Sequence, residues 1–105
     1  MSVIVTIWFM GDPEKFEGLL QEKREQLTAI SERAQAAGVI AHRFYASEDQ
    51  VMVIDEWPDE ESFQRFFESE QGEIGPILAE AGVTMEPQVR FWRVLDSPDK
   101  VGWGA

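Results

Sequence analysis

The 105-residue chain has no cysteine, which excludes disulfides, thiolate nucleophiles and cysteine-based metal sites. It has a single histidine, His42, too few for a multi-histidine metal cage, and no metal is expected. Basic residues are scarce: 9 Lys and Arg stand against 20 Asp and Glu, for a formal charge of -11. A nucleic-acid partner calls for a basic face that displaces counterions, and an anionic membrane surface asks for the same. Neither partner is expected, and the acidic excess serves solubility. The apolar N-terminal stretch MSVIVTIWFMGD has no positively charged leader region and is too short to span a bilayer, so it reads as a strand of a cytoplasmic protein. No glycine-rich phosphate loop, nucleophile elbow or calcium loop is present.

What the chain does have is regular patterning. Residues 2–10 (SVIVTIWFM) are apolar at both parities and end at Gly11-Asp12-Pro13, as expected of a strand covered on both faces. Asp12 followed by Pro13 starts a helix. Phe16, Leu20, Leu27, Ile30, Ala34 and Ala37 then hold one apolar stripe, interrupted only by Lys23, on a helix of about 25 residues that stops at Gly38. Residues 39–46 (VIAHRFYA) and 50–57 (QVMVIDEW) form strands joined by Ser47-Glu48-Asp49. A second helix follows Pro58-Asp59, and Gly72 separates it from a short apolar segment, 74–81, which Gly82 closes. Residues 84–95 make a last strand, and Pro87 within it demands a sheet edge or a bulge.

The order β-α-β-β-α-β is the ferredoxin-like α+β plan, a four-stranded antiparallel sheet with helices on one face. One domain covers residues 1–95, and 96–105 form a tail, frayed or docked on a partner. Strands apolar on both parities leave the helix-free face as an exposed patch of several hundred Å² or more. Two such sheets stacking face to face hide it, so a homodimer through the sheet faces, a dimeric α+β barrel, is expected.

Several residues in sequence order carry a family likeness. Gly38 opens strand two, the strand VIAHRFYA has Tyr45 near its end, Glu56-Trp57 closes strand three, and Ser62-Phe63 lies in the next helix. On these residues the chain, over about 2–95, resembles the antibiotic biosynthesis monooxygenase family of dimeric α+β barrels. Its members include cofactor-independent oxygenases of electron-rich polycyclic phenols, heme-degrading enzymes, quinol oxygenases and proteins without known activity. The resemblance implies a dimer, a hydrophobic pocket between helices and sheet, and a small apolar or aromatic ligand. There are departures. Phe66, Phe67, Ser69 and Gln71 stand where members often carry a pattern like H-L-x-S-x-H. Heme-degrading relatives need an axial histidine there and an asparagine on strand one, which here offers only Ser2 and Thr6 as uncharged polar residues. Heme breakdown is therefore not expected.

His42 is the only side chain that titrates near neutrality unaided. It is the candidate catalytic residue, accepting a proton from a phenolic substrate whose anion then meets dioxygen, with no cofactor. A hydrogen-bonded structural histidine is the alternative. Candidate pocket residues are Trp8, Tyr45, Glu56, Trp57, Phe66, Phe67 and Trp92. Strand alternation sends Glu56 and Trp57 to opposite faces, and separates Tyr45 from His42 likewise. Glu56 is either a buried general base or the cross-strand partner of Arg43. Trp57 is a packing anchor or a stacking surface; Phe66 and Phe67 are core or pocket wall. Trp103 is placed to reach across the dimer. The leading function is a cofactor-independent monooxygenase of a small hydroxylated aromatic or quinol. The rivals are a non-catalytic dimeric binding or accessory protein and a purely structural dimerising domain.

Overall fold

A computed structural model describes residues 1–103, so Gly104 and Ala105 of the expected tail lie outside the described residues. The elements run β1 (Val3–Met10), α1 (Pro13–Glu22), α2 (Arg24–Ala37), β2 (Ala41–Ser47), β3 (Gln50–Trp57), α3 (Glu60–Ser69), α4 (Gln71–Glu80) and β4 (Gln88–Trp92). The four strands form one antiparallel sheet in the order β2-β3-β1-β4. This is the expected α+β plan, with each helical crossover broken in two. Among the described residues no helix is long and apolar enough to cross a membrane.

Local chemistry explains the helix ends. The Asp12 carboxylate accepts from the Glu14 N–H at 3.0 Å, and Pro13 takes the first turn, where its missing N–H is no loss. Asp59 caps α3 by accepting from the Ser62 N–H at 2.7 Å, a bond that holds its carboxyl below the ordinary value. Gly38 ends α2 at φ 111°, a left-handed conformation that glycine adopts without strain.

Three sequence expectations need correction. The single long helix breaks at Lys23, where the apolar stripe lapses. Lys23 instead pairs with Glu80 of α4 at 2.9 Å. The later break falls at Glu70, and Gly72 lies inside α4 together with Pro76. Proline is tolerated there because the carbonyl it leaves unbonded, four residues back, belongs to exposed Gly72. The last strand is only Gln88–Trp92, at the sheet edge, and Pro87 immediately precedes it.

Strand parity divides the sheet. Val5, Ile7 and Phe9 of β1 and Val51, Val53, Asp55 and Trp57 of β3 are buried toward the helices. They pack in two adjoining clusters, one around Trp57, Phe63 and Ala34, the other around Phe9, Phe16, Leu19 and Ile77. Burial of a side chain such as Phe9 contributes roughly 2–3 kcal/mol. The helix-free face presents Ile4, Thr6 and Trp8 of β1, Met52, Ile54 and Glu56 of β3, Arg43 and Tyr45 of β2, and Arg90 and Trp92 of β4.

Candidate functional site

A cavity of about 690 Å³ opens between the helices and the sheet. Phe16, Leu20, Leu27 and Ile30 line its helical side, Phe44 and Val53 its sheet side, and Phe66 and Phe67 one end. Residues on both sides of the Lys23 break, Leu20 of α1 and Leu27 of α2, border the cavity. Leu27 and Ile30 are only half-buried against the second core cluster.

On the sheet side of this space lies a hydrogen-bonded polar chain. His42 of β2 is directly opposite Asp55 of β3, and its Nδ1 lies 2.6 Å from Asp55 Oδ1. The other carboxylate oxygen accepts from the Trp57 indole N–H at 3.0 Å. Asp55 and Trp57 occupy successive inward positions on the same strand, two residues apart, which brings the indole N–H to the carboxylate. Trp57 is fully buried, and its ring packs 5.4 Å from Phe66 and 6.0 Å from Phe63. The Asp55 side chain is 8% exposed, whereas the His42 side chain is 41% exposed and borders the cavity. Phe44, two residues along β2, sets its ring edge-on to the imidazole at 5.1 Å.

This arrangement bears on what the imidazole can do chemically. As a carboxylate, Asp55 has only acceptors, so Nδ1 of His42 carries the hydrogen and Nε2 carries the lone pair. Nε2 has no hydrogen-bond partner among the described residues. A neutral imidazole held in that tautomer can take a proton from a bound hydroxyl, and the buried carboxylate stabilises the imidazolium that forms.

The sequence candidates divide between the two faces. His42, Phe66 and Phe67 line the cavity, while Trp57 stands behind Asp55 and anchors the second crossover. Trp8, Tyr45, Glu56 and Trp92 stand on the helix-free face and do not reach the cavity. There the indoles of Trp8 and Trp92 donate to Gln50 at 2.6 Å and Thr6 at 2.9 Å. The expected Arg43–Glu56 pair does not form. Arg43 is opposite Ile54, and Glu56 accepts from the Ser2 hydroxyl at 2.6 Å. Among the described residues no three His, Asp or Glu side chains converge to hold a metal.

Asp55 was not among the sequence candidates, though its signal is present. The β2–β3 turn contains two residues, Glu48 and Asp49, with Ser47 opposite Gln50. Counting five residues back from Ser47 and five forward from Gln50 puts His42 across from Asp55. A three-residue connection over 47–49 shifts that count by one and sends every β2 side chain opposite the wrong parity of β3.

No protein-family model matches the chain, and no curated protein sequence matches it. Solved structures do. A dimeric ferredoxin-like protein from an uncultured marine organism superposes with a TM-score of 0.69 at 17% identity, covering 95% of this chain and 100% of that one. An antibiotic biosynthesis monooxygenase gives 0.63 at 16% identity, over 91% of this chain and 100% of that one. The chain shares the fold of these proteins. A single-residue variant of SnoaB, a cofactor-independent oxygenase from Streptomyces nogalater, matches with a TM-score of 0.61 at 16% identity, over 94% and 98% of the two chains. At these identities the likeness is one of fold. In this chain that fold places His42 and Asp55 at the cavity, with Trp57 bonded to Asp55 from behind.

Proposed function

We propose that the protein is a cofactor-independent monooxygenase acting on a small hydroxylated aromatic or quinol. The observation that carries this reading is the His42–Asp55 pair at the wall of a cavity lined largely by apolar and aromatic side chains. A planar aromatic fits such a space, with its faces against Phe66, Phe67 and Phe44. His42 Nε2 takes the proton of the substrate hydroxyl, which leaves an electron-rich anion. Dioxygen adds to an activated ring carbon to give a hydroperoxide, and loss of water leaves a carbonyl. In the balance the substrate loses two hydrogens and gains one oxygen atom, while the second oxygen leaves as water. The substrate supplies all four electrons, so no external reductant enters.

The same reading includes a homodimer. The half-exposed Tyr45 and Trp92 and the neighbouring Ile54 and Met52 form the apolar part of the helix-free face. The indole N–H groups of Trp8 and Trp92 are already satisfied within the sheet. A second sheet stacked on this face covers the rings without leaving those donors unpaired. The dimeric state of the ferredoxin-like neighbour supports the arrangement. Exposed Leu95, Val101 and Trp103 would find cover on the partner.

The test is oxygen uptake by metal-stripped protein against a panel of anthrone-like and quinol-like phenols, after subtraction of spontaneous oxidation. Saturable uptake that is lost in His42→Ala, with the dimer intact, is the expected result. Aromatic binding without uptake would favour a non-catalytic binding protein instead.

A further inference from the structure

Along the helical wall, Gln21, Arg24, Thr28, Ser31 and Gln35 all line the cavity. Within α2 the spacing of Arg24, Thr28, Ser31 and Gln35 is 4-3-4, so they form a second stripe beside the apolar one carried by Leu27, Ile30 and Ala34, and Gln21 joins it from the end of α1. The stripe is neutral at every position except Arg24. Its guanidinium is held only by the Gln21 side-chain oxygen, at 2.7 Å. No carboxylate of the described residues lies within ion-pair distance of it, whereas Lys23, Arg33 and Arg65 each have an acidic partner. The other arginine bordering the cavity, Arg43, belongs by strand parity to the opposite face of the sheet.

We propose that the substrate of this cavity carries a carboxylate on the part of the molecule remote from its acidic hydroxyl, and that Arg24 binds that carboxylate. The inference rests on the cavity being an aromatic-substrate site. In a chain of charge -11 an anionic ligand is repelled unless a local cation receives it, and an arginine fork matches a carboxylate with two parallel hydrogen bonds. The fold separates the two ends. Val39 N–H bonds the Ala34 carbonyl at 3.0 Å where α2 meets the start of the sheet. From that corner Arg24 lies about 15 Å down the helix and His42 about 10 Å down the strand, in different layers. The carboxylate on the helical wall, Glu32, lies about 12 Å further along α2 from Arg24, so that wall has one cationic end and one anionic end. The hydroxyl and carboxylate of a fitting ligand are therefore separated across its ring system, and its oxygenated edge faces Thr28 and Ser31.

The experiment is equilibrium binding under argon, so that binding reports whether or not the protein oxidises the ligand. Three probes are compared: a naphthol, a hydroxynaphthoate with its groups on opposite rings, and the isomer with adjacent groups. The opposite-ring hydroxynaphthoate is expected to bind at least tenfold tighter than the naphthol, and the adjacent isomer to gain less. Arg24→Gln is expected to close that gap, and Arg24→Lys to restore part of it. Equal affinity of naphthol and hydroxynaphthoate for the unaltered protein, or a gap that survives Arg24→Gln, overturns the proposal. Failure of all three probes to bind overturns it together with the aromatic-site reading. Binding with the expected preference but no oxygen uptake overturns only the catalytic reading.

Discussion

His42 Nδ1 and Asp55 Oδ1 lie 2.6 Å apart across neighbouring strands. The pair joins the most solvent-accessible strand of the sheet to one of its most buried positions. Asp55 is anchored from behind by the fully buried Trp57. His42 is thus held at a set orientation by groups that cannot move without disturbing the core.

Asp55→Asn tests that relationship. An asparagine amide can donate to Nδ1, which forces the hydrogen onto Nε2 and removes the lone pair from the cavity side. Turnover is expected to fall about a hundredfold or more, the scale of a lost general base, while the fold is kept. Nitrogen NMR of the imidazole reads the tautomer directly. An unchanged tautomer in the variant would remove Asp55 from the positioning role.

Trp57→Phe deletes the indole N–H and part of the ring. It leaves Asp55 Oδ2 without its donor and opens a void beside Phe63 and Phe66. The expected loss is roughly 2–4 kcal/mol of stability, combining the unsatisfied acceptor and the cavity, measured by denaturant unfolding. In the Asp55→Asn background the same change is expected to cost a different amount, because the two residues share one hydrogen bond.

Glu70 is buried where α3 meets α4, and the Arg33 guanidinium reaches its two oxygens at 2.8 and 2.9 Å. Those bonds hold its carboxyl below the ordinary value of 4.5. A carboxyl depressed in the folded state contributes stability that is fully present above that value and is lost as pH falls through the lower, folded one. Glu70→Gln is therefore expected to be less stable than the parent at neutral pH and to lose less on acidification. Unfolding midpoints from pH 7 to pH 3 check the sign; parallel curves would contradict it.

Trp92→Glu places a charge on the helix-free face, next to Ile4 and Thr6. If two sheets stack there, the variant is expected to run as a monomer under conditions where the parent is a dimer, because an unpaired charge would be buried. Light scattering coupled to size exclusion gives the masses. A Trp92→Glu dimer as tight as the parent's would place the interface elsewhere.

The sequence alone determined the order of strands and helical crossovers and where each crossover begins, since these depend on neighbours a few residues apart. Asp12 and Asp59 are caps by chemistry, Gly38 is a stop by conformational freedom, and two-residue alternation sends Glu56 and Trp57 to opposite faces. It also marked Lys23 as the one lapse in the apolar stripe, though not that the helix breaks there. Only the tertiary structure decided which face holds the cavity, and that decision moved Trp8, Tyr45, Glu56 and Trp92 out of it. It also decided that Asp55, one residue from the acid the sequence pointed to, is the partner of His42. The physical reason is register. A pairing shifted by a single residue exchanges every inward side chain for an outward one, and no local preference fixes that count. The hairpin turn and the packing of the whole sheet do.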